Sequence, residues 1–70
     1  MMEEKNLEIL ALEKKMSIRD LAKLVGVTEV TMWRYVHRSR IPSIPIAAAI
    51  ADALDIDWRE VIDLCKEEEG

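Results

Sequence analysis

The sequence has few of the residues that build covalent cross-links, metal sites or membrane spans. Its one cysteine, Cys65, has no second cysteine to pair with, which excludes an intrachain disulfide and a cysteine-based metal site. The longest near-apolar run, residues 41–54, contains Pro42, Pro45 and Asp52 and is too short to span a bilayer. No basic segment followed by a hydrophobic stretch opens the sequence, so we expect no secretory signal and a cytoplasmic location.

The sequence also lacks the groups that enzymes most often use. It contains one histidine, His37, two glycines and no glycine-rich phosphate loop. His37 has no partner ligand at helical spacing, and no pair of carboxylates marks a cleft for acid–base catalysis. We therefore expect no enzyme activity, no metal and no cofactor. We also expect no small-molecule effector, because 70 residues suffice for one domain only.

Charged residues are abundant but unevenly distributed. The formal net charge of the whole sequence is −4, which by itself argues against nucleic acid as a partner. Residues 14–40, however, contain seven basic and two acidic side chains, whereas residues 41–70 contain two basic and eight acidic ones. Either these charges only keep the surface soluble, or the folded chain has a basic face toward phosphates and an acidic back.

Apolar residues recur at helical spacing almost throughout, and no segment alternates as a β-strand does. This pattern predicts an all-α fold of five helices in one domain over residues 1–70, with an ordered core at about residues 6–65. The helices are expected at about 6–15, from 18, at about 29–38, from 44 and from 58. Their inward-facing residues are expected to be Leu7, Leu10, Ala11, Ile18, Leu21, Ala22, Val25, Ile46, Ile50, Ala51, Leu54, Trp58, Val61, Ile62 and Cys65.

Local signals mark the boundary between the second and third helices. Ser17 and Asp20 fit a shortened capping box, in which each side chain accepts a hydrogen bond from the backbone N–H of the other residue. Gly26 follows the second apolar stripe, where left-handed backbone ends a helix without steric cost. Thr28 is placed to cap the next helix. Residues 17–38 are therefore expected to form a helix-turn-helix.

The second half of the sequence has similar signals. Pro42 disfavours helical backbone in the residue before it, which predicts a loop. Ser43 can cap a fourth helix, and Pro45 is tolerated there because it lies in the first turn. Asp57 followed by Glu60 predicts the start of a fifth helix.

The stretch SIRDLAKLVGVTEVTMWRYVH, residues 17–37, resembles the helix-turn-helix of lac-repressor-type regulators. The wider sequence, about residues 6–64 with LAKLVGVT and IPSIPIAAAIADALDID, resembles the XRE family, the Cro and phage-repressor type of domain. The whole amphipathic helix before SIRD favours the XRE frame, because a lac-type domain begins with the SIRD helix. The resemblance implies a compact five-helix DNA-binding domain encoded by a bacterium or a phage.

Four positions depart from the XRE pattern: Ala11, Val36, Ile18 and, on the third helix, Trp33. Ala11 and Val36 stand where many members have an arginine and a glutamate that form a buried ion pair. Because both partners are replaced together, no unpaired buried charge costing about 3–5 kcal/mol remains, and we expect an apolar contact between the first and third helices. Ile18 replaces a glutamine, which removes one expected phosphate or base contact.

The resemblance assigns the third helix to the major groove of double-stranded DNA. Its core-facing residues would be Val27, Met32, Tyr35 and Val36, and its base-reading residues Glu29, Val30, Trp33 and Arg34. Arg34 can donate to guanine, Glu29 can accept from cytosine N4, and Val30 can meet a thymine methyl group. Each also has a structural interpretation: a solvated arginine, a carboxylate that complements the helix dipole, and a partly covered rim residue.

DNA-backbone contacts are expected from the N–H groups that open the second and fourth helices and from nearby basic side chains. The residues are Ser17, Ile18, Arg19, Thr28, Arg38, Arg40, Ser43 and Ile44. Trp33 is the unusual residue on this surface, because the equivalent position is usually small or polar. It could contact a sugar or a thymine methyl group, anchor a protein partner, or fold back over Arg19 or Lys23.

Two functions fit these observations. The first is a sequence-specific DNA-binding transcriptional regulator of Cro or repressor type, which binds as a homodimer over two half-sites. Its dimer surface is expected on the fifth helix, at Leu64 and also Cys65, which is otherwise a small buried residue. The second is a protein-interaction module on the same fold, such as an antitoxin or antirepressor, which would use Trp33 and the acidic surface.

Overall fold

The computed structural model describes residues 6–66 and contains, within them, five α-helices and no strand. The helices are α1 (Leu7–Glu13), α2 (Ile18–Val25), α3 (Glu29–Val36), α4 (Ile44–Leu54) and α5 (Trp58–Cys65). The predicted all-α architecture is confirmed. The α2 helix packs against α3 and α4, α4 packs against α5, and α1 contacts α2, α3 and α5. No helix in this part of the chain is long and apolar enough to cross a membrane.

Side chains cap the N-terminal ends of four helices. The Ser17 hydroxyl accepts from the Asp20 backbone N–H at 3.1 Å, and the Asp20 carboxylate accepts from the Ser17 N–H at 3.2 Å, as the capping box predicts. The other three capping side chains, on α1, α3 and α5, are those of Asn6, Thr28 and Asp57. Ser43 occupies the corresponding position of α4 but makes no capping hydrogen bond, contrary to expectation.

The first four helices all end with one residue in left-handed backbone. In each case the N–H of the following residue donates to the carbonyl five residues earlier, at 2.8–3.0 Å, which is the Schellman arrangement. The left-handed residues are Lys15, Gly26, Arg38 and Asp55, and the donors are Met16, Val27, Ser39 and Ile56. Lys15 and Arg38 were expected inside their helices. Because they reverse the chain instead, α1 and α3 end two residues earlier than predicted.

All five helices contribute to one hydrophobic core. Its buried members are Leu7, Leu10, Ala11, Leu21, Ala22, Met32, Tyr35, Val36, Ala47, Ile50, Ala51, Leu54, Val61 and Cys65. No charged or polar side chain is buried among the described residues. Ala11 and Val36 belong to the same buried apolar cluster, in agreement with the expectation that no charged pair occupies these two positions.

The α4–α5 end of the core differs from the expectation. Trp58 is 37% exposed, because it is the first residue of α5 and its Cα–Cβ bond tilts toward the helix N-terminus, past the covered part of the helix. The Arg59 guanidinium lies 5.6 Å from the centroid of its ring. Ile46 and Ile62 are only half-buried, and Ala47 takes the fully covered place on α4.

Replacing Gly26 tests the turn between α2 and α3. Its φ is +92°, and a Cβ added there meets nothing within 4 Å, so the cost of a side chain comes from the backbone. We expect Gly26→Ala to lower the free energy of unfolding by about 1 kcal/mol, and Gly26→Asn to lower it less, because asparagine tolerates left-handed backbone. Urea denaturation of the three proteins measures both changes. Equal losses in the two variants would contradict a backbone origin.

Cys65 gives a second test, because the core covers it completely. It therefore offers no dimer surface, which corrects one expectation. Burial raises the pKa of its thiol from 9.0 to about 11, and the Arg38 charge opposes this rise. Between these pH values the unfolded chain binds fewer protons than the folded one, so stability falls as the pH rises through the window. Denaturation at several pH values should show a flatter profile for Cys65→Ala.

Candidate nucleic-acid interface

The α3 helix has one buried and one exposed face. Met32, Tyr35 and Val36 lie in the core, and Val27 packs against its edge. The opposite face presents the four residues to which base reading was assigned: Glu29, Val30, Trp33 and Arg34, all exposed. Val30 is 60% and Trp33 50% exposed, which is unusual for such large apolar side chains. The four side chains therefore share one solvent-facing surface, which we call the α3 outer face.

Trp33 packs on His37, one turn further along the chain. The two ring centroids are 3.9 Å apart and the planes are inclined by 36°. The His37 backbone N–H also donates to the Trp33 carbonyl at 3.0 Å, which fixes the spacing of the two residues. Arg19 or Lys23 was one expected cover for the indole, and in the structure the His37 ring packs on it. The spacing of four residues was the signal that could have indicated this pair.

Glu29, Val30 and Trp33 line a shallow, largely apolar depression on the α3 outer face. Glu29 and Trp33 are four residues apart and Val30 and Trp33 three apart, so the three side chains are neighbours on the helix surface. Within residues 6–66, no ion pair or hydrogen bond engages the Glu29 carboxylate. The depression thus combines an apolar floor with one hydrogen-bond acceptor that is not already engaged.

The helix starts that were expected to meet phosphates differ in their capping. At α2, the capping box satisfies the N–H groups of Ser17 and Asp20, and those of Ile18 and Arg19 have no carbonyl partner within the helix. The Ser17 backbone N–H, which donates to the Asp20 carboxylate, and then the Ser17 side chain hold the pKa of the Asp20 carboxyl below its usual value. At α4, the absence of a side-chain cap leaves the first-turn N–H of Ile44 open. Both starts retain donors for an anion.

The basic side chains of residues 14–40 do not all occupy the same surroundings. Arg19 and Arg40 are exposed, whereas Arg38 is half-buried and close enough to Cys65 to act on its pKa. Lys14 lies 3.9 Å from the Asp55 carboxylate, at the turn between α4 and α5. Part of the positive charge counted in this segment is therefore matched by the acidic half of the chain.

Two short helices, α2 and α3, are joined by a tight left-handed turn, and α3 is exposed on one side and packed against α1, α2 and α5 on the other. This arrangement defines a helix-turn-helix domain. The sequence model of the Cro/C1-type HTH DNA-binding domain matches residues 6–67, and the chain belongs to this family. The resemblance to the Cro and phage-repressor type is confirmed. No curated protein and no solved structure was found to match the chain. Family membership makes this a DNA-binding regulator whose partner is double-stranded DNA.

The Trp33–His37 stack should be measurable in solution. Because the sequence contains two tryptophans, Trp58→Phe leaves Trp33 as the sole indole emitter. In that background we expect His37→Ala to lower the fluorescence anisotropy of Trp33, because the indole loses the ring against which it packs. His37→Phe, which keeps an aromatic ring, should preserve the anisotropy. Unchanged anisotropy in His37→Ala would show that the imidazole does not restrict the indole.

Proposed function

We propose that this protein is a sequence-specific transcriptional regulator of Cro or repressor type, which inserts α3 into the major groove and occludes a promoter or operator. The observation that supports it best is the division of α3 into a buried face and the α3 outer face. Met32 and Val36 fix the helix in the core, so Arg34 and its neighbours are presented on a helix that cannot rotate without exposing apolar surface. Such preorganisation is what base reading requires.

The α3 outer face is assigned to the bases. Arg34 donates two hydrogen bonds to guanine O6 and N7, Glu29 accepts from an exocyclic amino group, and Val30 and Trp33 supply apolar contacts. Phosphate contacts position the domain without selecting sequence. They are assigned to Ser17, Ile18, Arg19, Thr28, Arg38, Arg40, Ser43 and Ile44. Exposure of Arg19 and Arg40 and the open N–H groups at α2 and α4 support this assignment.

A homodimer is part of the proposal, because two α3 helices one helical turn apart read a palindromic site. On α5, Leu64 is half-buried and Trp58 is partly exposed, so both have apolar surface left for a second copy. Cys65 is no longer included. A palindrome in the selected DNA would support this part of the proposal, and a single half-site would remove it.

The alternative, a protein-interaction module on the same fold, is favoured by one observation. Val30 and Trp33 form an exposed apolar surface next to the Glu29 carboxylate, which repels phosphates wherever no donor faces it. An antitoxin or antirepressor would bind its protein partner there. Such a protein would show no salt-sensitive affinity for duplex DNA, since counterion release accompanies phosphate contacts.

Selection of bound sequences from a random duplex pool tests the proposal. We expect an enriched site for the native protein, and a loss of affinity for it of about ten- to a hundredfold in Arg34→Ala, with relaxed specificity at one position. Arg19→Ala should instead weaken all sequences alike and reduce the salt slope by about 0.9. Lys66→Ala removes one exposed positive charge that is assigned neither to DNA contacts nor to the dimer surface, and serves as the control.

Lys66→Ala should enrich the same site as the native protein. The absence of enrichment, together with no duplex binding at low salt, would move the protein to the interaction-module alternative. Enrichment that survives Arg34→Ala unchanged would keep DNA binding but remove Arg34 from base reading.

A further inference from the structure

The depression on the α3 outer face has a chemical composition that selects among bases. Its apolar part is formed by Val30 and Trp33, which are 60% and 50% exposed, and its polar part by the Glu29 carboxylate. An apolar floor favours a methyl group, because burying one in contact with carbon removes it from water. A carboxylate accepts hydrogen bonds and donates none, so it favours an amino group and repels a carbonyl.

Cytosine, 5-methylcytosine, uracil and thymine differ at the major-groove edge in two properties: whether C5 carries a methyl group, and whether C4 carries an amino donor or a carbonyl acceptor. Cytosine presents the N4 amino donor and no methyl group, whereas thymine presents a methyl group at C5 and the O4 acceptor. Thymine therefore fits Val30 and Trp33 but sets its O4 oxygen against the Glu29 carboxylate. Cytosine fits Glu29 and leaves the apolar floor uncovered. A cytosine methylated at C5 presents both the donor and the methyl group, on adjacent atoms of the ring edge.

We propose that the depression formed by Glu29, Val30 and Trp33 is a reading site for 5-methylcytosine in duplex DNA. The methyl group lies against Val30 and the indole of Trp33, while the N4 amino group donates to the Glu29 carboxylate. This inference rests on the proposed insertion of α3 into the major groove. It makes the protein a regulator whose operator affinity rises when one cytosine of the operator is methylated.

His37 contributes to this site by its position. The imidazole packs on the indole with 3.9 Å between ring centroids, and so holds Trp33 along the helix surface beside Val30. A tryptophan without this support would populate several rotamers, and the depression would be open in only some of them. His37 is therefore a positioning residue: it keeps the apolar floor in place before the DNA arrives.

The test uses the full chain and the duplex found by selection, and first methylates each cytosine of that duplex singly. At the responsive position, four duplexes then carry cytosine, 5-methylcytosine, uracil or thymine, each with its complementary base. Within each pair, cytosine with 5-methylcytosine and uracil with thymine, the duplexes differ by the methyl group alone, whereas between the pairs the amino donor changes together with the purine opposite it. We expect 5-methylcytosine to bind about fourfold more tightly than cytosine, the increment of one buried methyl group, and about tenfold more tightly than thymine.

Two variants assign these preferences to side chains. Val30→Ala should reduce the methyl preference in both pairs of duplexes, while it keeps the preference for the amino donor. Glu29→Gln should keep the methyl preference and reduce the preference for the amino donor, because an amide can either accept or donate a hydrogen bond. Both residues are exposed, so we expect neither change to disturb the core, and circular dichroism would check that each variant folds. His37→Ala should lower the methyl preference, and His37→Phe should restore it.

The outcomes separate this inference from the proposed function. Arg34-dependent, salt-sensitive binding with equal affinity for cytosine and 5-methylcytosine at every position would overturn the methyl-reading site and leave the regulator intact. A methyl preference that survives Val30→Ala would also overturn it, since the contact would lie elsewhere. The absence of any enriched duplex would overturn both proposals at once.

Discussion

The burial of three α3 side chains is the constraint on which the rest of the structure depends. A helix of eight residues is not stable by itself in water, so α3 exists only because Met32, Tyr35 and Val36 are covered by the other helices. The helical period then determines what faces outward, with Trp33 and Arg34 on the opposite side. The outer surface is in this sense a consequence of the core. A change that rotates α3 is therefore expected to alter both the stability and the proposed base reading.

Charged residues are also divided unevenly along the chain. Seven of the ten basic residues fall between positions 14 and 40, and eight of the fourteen acidic ones between 41 and 70, so a chain with net charge −4 can still present positive charge to phosphates. The basic and acidic residues are not fully separated in space, since Lys14 pairs with Asp55 and Arg38 lies close enough to Cys65 to act on its pKa. The remaining exposed arginines are few. Under the proposed function, specificity therefore depends more on the contacts of the α3 outer face than on a strong positive electrostatic potential.

The elements that could be predicted are those with local signals. Ser17 predicts the start of α2 and Gly26 predicts its end, because each acts through hydrogen bonds or backbone angles within a few residues. The left-handed residue Lys15 has no such signal, since lysine is common inside helices. The exposure of Trp58 and the packing of His37 on Trp33 depend on how a helix end sits in the whole fold, which periodicity does not describe. The four assigned base readers are exposed, but exposure alone does not test their contacts.

The repeated left-handed helix ends bear on how stable the domain can become. Of the four residues in this conformation, one is glycine and three carry side chains that strain the backbone, at roughly 1 kcal/mol each. Lys15 and Asp55 lie in turns that a glycine would relax without removing any core contact. A small domain has a few kcal/mol of net stability in all. The strain at these turns therefore lowers the free energy of unfolding by a considerable fraction. Glycine at such positions would give a variant of the same fold that unfolds at a higher temperature.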